Sequence, residues 1–140
     1  MYVEITYDGR IRSKYSSGGR RVTDKVELNG STELVVKVDG GSSVTYYDNS
    51  YYDTASRGKI KSIGNTQIKY YDDGCYPFCM GKVRYIGDVE VYYYNEEEGP
   101  ASKGKIKYID DVLVTYYGSE FPSYKAGKPK EIGNIKITIL

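Results

Sequence analysis

Apolar and polar residues alternate in short runs along the chain. Met1-Tyr2-Val3-Glu4-Ile5-Thr6-Tyr7 sets the pattern, and it returns at Val44-Thr45-Tyr46-Tyr47 and Ile68-Lys69-Tyr70-Tyr71. Alternation with period two is the signature of a strand with one face toward a core. Between the runs stand Gly64-Asn65, Gly87-Asp88, Asp110-Asp111 and Gly133-Asn134. Such pairs tolerate positive φ, so each predicts a two-residue hairpin turn, with Gly64, Gly87 and Gly133 in the left-handed region. Asp8-Gly9, Asn29-Gly30 and Asp39-Gly40 mark three more turns in the same way.

The pattern is also a repeat. Gly58, Gly81, Gly104 and Gly127 lie 23 residues apart and open the phrases GKIKSIGNTQIKYYDD, GKVRYIGDVEVYYYNE, GKIKYIDDVLVTYYGS and GKPKEIGNIKITIL. Each unit reads as a hairpin followed by a linker, and Pro77, Pro100 and Pro122 keep the three complete linkers out of the ladder. The predicted fold is all-β: an antiparallel β-meander of tandem 23-residue hairpin repeats, in a single-layer or open twisted sheet of about a dozen strands. It forms one domain over 1–140, with degenerate hairpins in 1–57 and regular repeats in 58–140.

One spacing conflicts with plain alternation. Ile60 and Ile63 are three apart, as are Val83/Ile86 and Ile106/Ile109, so a regular strand puts them on opposite faces. Either a shared bulge brings both aliphatics to one face, or both faces are partly wet and Tyr rings and Lys stems cover each other. Composition favours the second. Ile, Val, Leu and Phe number only 30 of 140, while Tyr alone numbers 18.

The phrase GKIKSIGNTQIKYYDD resembles uncharacterised bacterial tandem β-repeat proteins with Gly-Lys-Ile-Lys-x-Ile-Gly-Asn units ending in Tyr-Tyr-Asp. The resemblance spans 58–140; it implies a β-repeat fold and carries no activity or site residues. The period is also similar to that of membrane occupation and recognition nexus repeats, although this chain has no Trp and no Tyr-x-Gly-x-Trp phrase.

Charge and chemistry narrow the function. The net charge is +1, which gives no general pull toward nucleic acid or anionic lipid. With no histidine, Ser-His-Asp and Cys-His triads and His metal sites are unavailable within the chain. Asp72, Asp73, Glu96, Glu97 and Glu98 could formally supply a carboxylate pair, but all fall in linkers, where solvated loop charge is the simpler role. The expectation is no enzyme, no metal and no cofactor. Cys75 and Cys79, spaced C-x3-C, can close a short-loop disulfide or stay reduced. No run reaches membrane-spanning length and the N-terminus lacks the apolar core of a signal peptide, as in a cytoplasmic or a mature secreted form.

Two recurring features are surface candidates. Lys59, Lys61, Lys82, Arg84, Lys105, Lys107, Lys128 and Lys130 recur at matching positions, as a basic stripe for a polyanion or as protection of strand edges. The pairs Tyr70/Tyr71, Tyr93/Tyr94 and Tyr116/Tyr117 offer an aromatic platform, one ring on each face. The C-terminal strand, with Ile135, Ile137 and Ile139 alternating, is a candidate association edge. The chain therefore reads as a non-catalytic structural or protein-interaction module whose partner is itself or another protein, with a glycan or cell-surface ligand as the alternative.

Overall fold

The computed structural model describes residues 1–15, 19–29, 33–75 and 78–137. Among these residues fourteen strands fall into two antiparallel sheets. The first sheet holds β1 (Tyr2–Ile5), β2 (Ile11–Tyr15), β3 (Arg20–Arg21), β4 (Val26–Asn29) and β5 (Glu33–Lys37), ordered β2-β1-β5-β4-β3. The second is an open meander in strict chain order. It starts with β6 (Val44–Tyr46), β7 (Ile60–Ile63), β8 (Thr66–Tyr70), β9 (Val83–Ile86) and β10 (Val89–Tyr93). It continues through β11 (Ile106–Ile109), β12 (Val112–Tyr116), β13 (Pro129–Ile132) and β14 (Ile135–Lys136).

The regular repeats behave as the sequence leads one to expect. Ile63 pairs with Thr66, Ile86 with Val89, Ile109 with Val112 and Ile132 with Ile135, so each turn has two residues. The first turn residue has positive φ every time: 58° at Gly64, 62° at Gly87, 58° at Asp110 and 60° at Gly133. The N-terminal part departs from a meander. Asp39-Gly40 is no hairpin turn; it lies in the connection that leaves β5 and enters the second sheet at β6. β1 takes β5 as its second neighbour, a long-range pairing that turn residues do not announce.

The Ile-x-x-Ile spacing is resolved by a bulge that recurs in every unit. Tyr46 pairs with Ile60 while Thr45 pairs with Ser62, which leaves Lys61 extra. Arg84, Lys107 and Lys130 are skipped in the same way opposite β8, β10 and β12. The second cation of the motif is therefore the bulged residue. One inserted residue turns a three-residue step into two inward side chains. Ile63, Val83, Ile86, Ile106, Ile109 and Ile132 all end up fully buried, so the two wet faces expected from the scarcity of aliphatics do not occur.

That inner face is covered by the first sheet, and Val3, Ile5, Leu28, Leu34 and Val36 join the repeat aliphatics in one core. Contacts at both rims hold the sheets together. At one rim the Ile106 N–H donates to the Tyr7 carbonyl (2.7 Å) and the Val83 N–H to the Gly9 carbonyl (3.0 Å). At the other, Asn65 N–H donates to the Asp39 carbonyl (3.1 Å) and Lys25 pairs with Asp88.

The turns supply a test. Gly87→Val places a β-branched residue at φ 62°, its Cβ 3.3 Å from Thr66 Cγ2. It should lower the unfolding free energy by about 1–2 kcal/mol. Asp110→Gly relieves the same strain and should raise it by about 0.5 kcal/mol after the entropy cost of glycine. Urea unfolding of the two variants reads both signs.

Candidate functional site

The repeat motif reads out as a set of contacts between consecutive units. Lys59 extends over the ring of Tyr70 (5.2 Å from ammonium to centroid) and donates to the carbonyl of Gly81, one unit on (2.6 Å). Lys82 repeats this over Tyr93 to the Gly104 carbonyl, and Lys105 over Tyr116 to the Gly127 carbonyl. All three ammonium groups are half-buried, and desolvation draws their pKa values below the ordinary 10.5. The bulged cations lie over the second tyrosine of the preceding pair: Lys61 over Tyr47, Arg84 over Tyr71 and Lys107 over Tyr94.

The tyrosine hydroxyls have fixed destinations too. The first of each pair donates within its own unit: Tyr70 to the Ile60 carbonyl (2.8 Å), Tyr93 to Val83 (2.6 Å), Tyr116 to Ile106 (2.8 Å). The second donates to the next unit: Tyr47 to the Ile68 carbonyl (2.7 Å), Tyr71 to Val91 (2.8 Å), Tyr94 to Val114 (2.7 Å), Tyr117 to Ile137 (3.3 Å). The rings meet edge-on between units, Tyr71 against Tyr93 at 5.9 Å and Tyr94 against Tyr116 at 6.0 Å.

The expected split of each pair across the two faces does not occur. Tyr93 and Tyr94 both pack against the core, because β10 ends at Tyr93 and the bulge redirects the chain there. Tyr70, Tyr71, Tyr93, Tyr94, Tyr116 and Tyr117 are thus the joints of the array, and their rings and hydroxyls are engaged inside the protein. The basic stripe is divided in the same way. Lys59, Lys82 and Lys105 are spent on glycine carbonyls, whereas Lys128 and Lys130 are exposed at the last unit.

The other candidates also find structural places. Cys75 and Cys79 are disulfide-bonded, their Cα atoms 5.5 Å apart, and bracket one linker. Asp72 accepts from the Gly74 N–H (2.9 Å). Glu98 completes a capping box with Asn95 and pairs with Lys107. Among the described residues no group of three His, Cys, Asp or Glu side chains could hold a metal ion, and no helix is long and apolar enough to cross a membrane. Of the C-terminal edge, Ile135 packs partly against the core and Ile137 is 5% exposed, so Ile137 serves this chain's own core rather than a free apolar face. Ile139 lies outside the described residues.

Two surfaces were not singled out by the sequence. The solvent face of the second sheet carries a cross-strand row, Tyr92 opposite Tyr108 and Tyr108 opposite Leu113, with Tyr85 beside Glu90. Tyr92, Tyr108 and Leu113 are 45%, 37% and 38% exposed. Tyr85, Tyr92 and Tyr108 sit at the unpatterned positions of the repeat, where a repeat search sees only noise. The second surface is a cleft of about 690 Å³ between the β1–β2 turn and the start of the array. Asp8, Arg10, Ile11, Tyr46, Gly58, Lys59, Tyr70 and Met80 line it.

Comparison with protein families, curated proteins and solved structures finds no match for this chain.

The buried phenols give the array a defined alkaline limit. Burial pushes the Tyr71 hydroxyl from 10.0 up to about 12, and pushes those of Tyr47, Tyr70, Tyr93, Tyr94 and Tyr116 upward as well. A phenol with a raised folded-state pKa holds its proton more tightly when folded. Its stabilisation is complete below the unfolded value and is lost as pH climbs through the folded one. The three lowered lysines act oppositely just below 10.5, but six raised phenols outweigh them. Stability should stay level up to about pH 10 and fall steeply between 10 and 12. Tyrosinate absorbance should rise with unfolding; smooth titration of all tyrosines near pH 10 in a chain that stays folded would contradict this.

Proposed function

We propose that the chain is a non-catalytic structural and protein-interaction module, with a second copy of itself as the first partner to test. The observation that carries this reading is a division of labour within the repeat. Positions that recur every 23 residues join one unit to the next. The outer-face positions change from unit to unit: Ser62, Tyr85, Tyr108 and Glu131 share one aligned place, Lys69, Tyr92 and Thr115 another, Gln67, Glu90 and Leu113 a third. Repeat proteins built this way keep a constant framework and present a variable face.

Among the described residues it is the middle units that make that face apolar, through Tyr85, Tyr92, Tyr108 and Leu113. Tyr85 shares the Arg84 guanidinium with Tyr71, while Tyr92, Tyr108 and Leu113 stand outside the lysine–tyrosine–glycine contacts of the joints. An exposed aromatic row rimmed by Arg84, Glu90 and Glu131 has the character of an interface centre with a polar margin. The exposed tyrosines also favour a carbohydrate as the second reading. Against it, Tyr92 and Tyr108 meet at 89° with centroids 6.5 Å apart, so the two rings cannot both lie flat beneath a sugar chain.

Sedimentation velocity over a wide concentration range tests the proposal. The unmodified protein should show reversible dimerisation, and the double variant Tyr108→Glu, Leu113→Glu should stay monomeric with its unfolding midpoint nearly unchanged. A monomer at every concentration overturns self-association. A glycan array that retains a ligand on the unmodified protein and loses it with Tyr92→Ala favours the carbohydrate reading.

A further inference from the structure

The joints between units are filled three times and left open once. Four glycines hold the same backbone: φ is 75° at Gly58, 78° at Gly81, 75° at Gly104 and 78° at Gly127. Each donates its N–H to the second tyrosine of the pair before it, Gly58 to Tyr47 (3.0 Å), Gly81 to Tyr71 (2.8 Å), Gly104 to Tyr94 (2.9 Å) and Gly127 to Tyr117 (2.7 Å). At three of them a lysine ammonium sits so close that an added Cβ would meet it: Lys59 Nζ at 2.8 Å from Gly81, Lys82 Nζ at 3.0 Å from Gly104, Lys105 Nζ at 3.0 Å from Gly127. At Gly58 an added Cβ would meet Asn49 Oδ1 at 3.7 Å, with no lysine of the described residues within 4 Å.

The ring that belongs to this fourth joint is present. Tyr46 pairs with Ile60 in the register by which Tyr70 pairs with Val83 and Tyr93 with Ile106. Its counterparts carry an ammonium on the ring and donate their hydroxyls to a carbonyl on the neighbouring strand. Among the described residues Tyr46 does neither, and it is 61% exposed. In the filled joints the lysine and the accepting carbonyl both come from the strand paired with the tyrosine's own strand. Tyr46 is on β6, the edge of the sheet, where the described residues supply no such strand.

We infer that the β6 edge is a docking site for an extended, lysine-bearing strand of a partner. The partner pairs antiparallel with β6 and lays its ammonium over Tyr46 onto the Gly58 carbonyl, with Asn49 Oδ1 as a further acceptor. The carbonyl of the residue after its lysine takes the Tyr46 hydroxyl. Chemistry and geometry agree on this occupant. A π face, a carbonyl and an amide oxygen are all negative poles, so they select a cation, and an unpaired strand edge selects a main chain. A lone amine at so exposed a ring would gain little, whereas a strand adds ladder hydrogen bonds. The cleft of about 690 Å³ beside Tyr46 gives the segment room, and Asp8 and Arg10, 3.5 Å apart, neutralise each other at its far wall. The inference rests on the interaction-module reading but uses another surface, so the outer-face sedimentation result neither supports nor removes it.

The test uses as its probe the peptide Gly-Lys-Ile-Lys-Tyr-Ile, the strand that residues 104–109 supply internally. Binding to the full chain is followed by NMR titration. Shifts should centre on Thr45, Tyr46 and Gly58. Norleucine at the Lys105 position of the peptide should weaken binding about tenfold or more, the equivalent of about 1.4 kcal/mol. Tyr46→Leu in the protein should do the same, while Tyr52→Leu, another exposed tyrosine, should not. Three outcomes overturn the inference: no binding at millimolar peptide, equal affinity for the norleucine peptide, or butylammonium binding as tightly as the peptide. The amide spectrum of Tyr46→Leu shows whether that variant is folded.

Discussion

A lysine ammonium that crosses a tyrosine ring and ends on the glycine carbonyl of the next unit is the contact on which the array depends. Half-burying a cation is costly unless its donors are met. Here the cost is offset by a charge-assisted hydrogen bond and an aromatic face, and both lie at positions the 23-residue period fixes. Glycine is required because its positive φ brings the carbonyl to the lysine and leaves no Cβ in the way. The bulge is required because it brings two aliphatics to the core and aims the second cation at the tyrosine of the unit before. A change in any one of these residue types disturbs the other three.

This economy explains how a chain poor in aliphatics folds without a thick core. One layer of Ile and Val seals the inside between the two sheets. The tyrosines then work at the rim, where they bury rings yet spend their hydroxyls on strand carbonyls of their own or the next unit. The remaining positions are released from structural duty. They face solvent on the outer sheet, and they are where unit-to-unit variation has accumulated an aromatic row.

The legible part of the fold was the local part. Alternation, turn pairs and the repeat period gave the strands β7 to β14, their order, and the left-handed residues at Gly64, Gly87 and Gly133. The bulge was one of two solutions to the Ile-x-x-Ile spacing, and counting aliphatics pointed to the other. The aliphatic count points the other way because it takes no account of the first sheet, β1 to β5, laid over the repeats. That sheet is closed by β1 pairing with β5, a contact between distant residues that no turn residue encodes. The tyrosine pairs stand out in the sequence but their destinations do not, since a hydroxyl that reaches a carbonyl 20 residues on leaves no trace in local pattern. The open joint at Tyr46 and Gly58 was hidden for a related reason: it shows only when three filled joints can be laid beside it.

If the lysine couples the units, its worth must depend on reaching the glycine carbonyl of the next. Lys82 reaches the Gly104 carbonyl, whereas Lys128, at the same place in the last unit, is exposed and reaches no carbonyl among the described residues. Urea unfolding of Lys82→Met and Lys128→Met compares the two with identical chemistry. The account predicts a loss of about 1–3 kcal/mol for Lys82→Met, the cost of leaving the Gly104 carbonyl without its charged donor, and almost none for Lys128→Met. Equal effects at the two positions would contradict it.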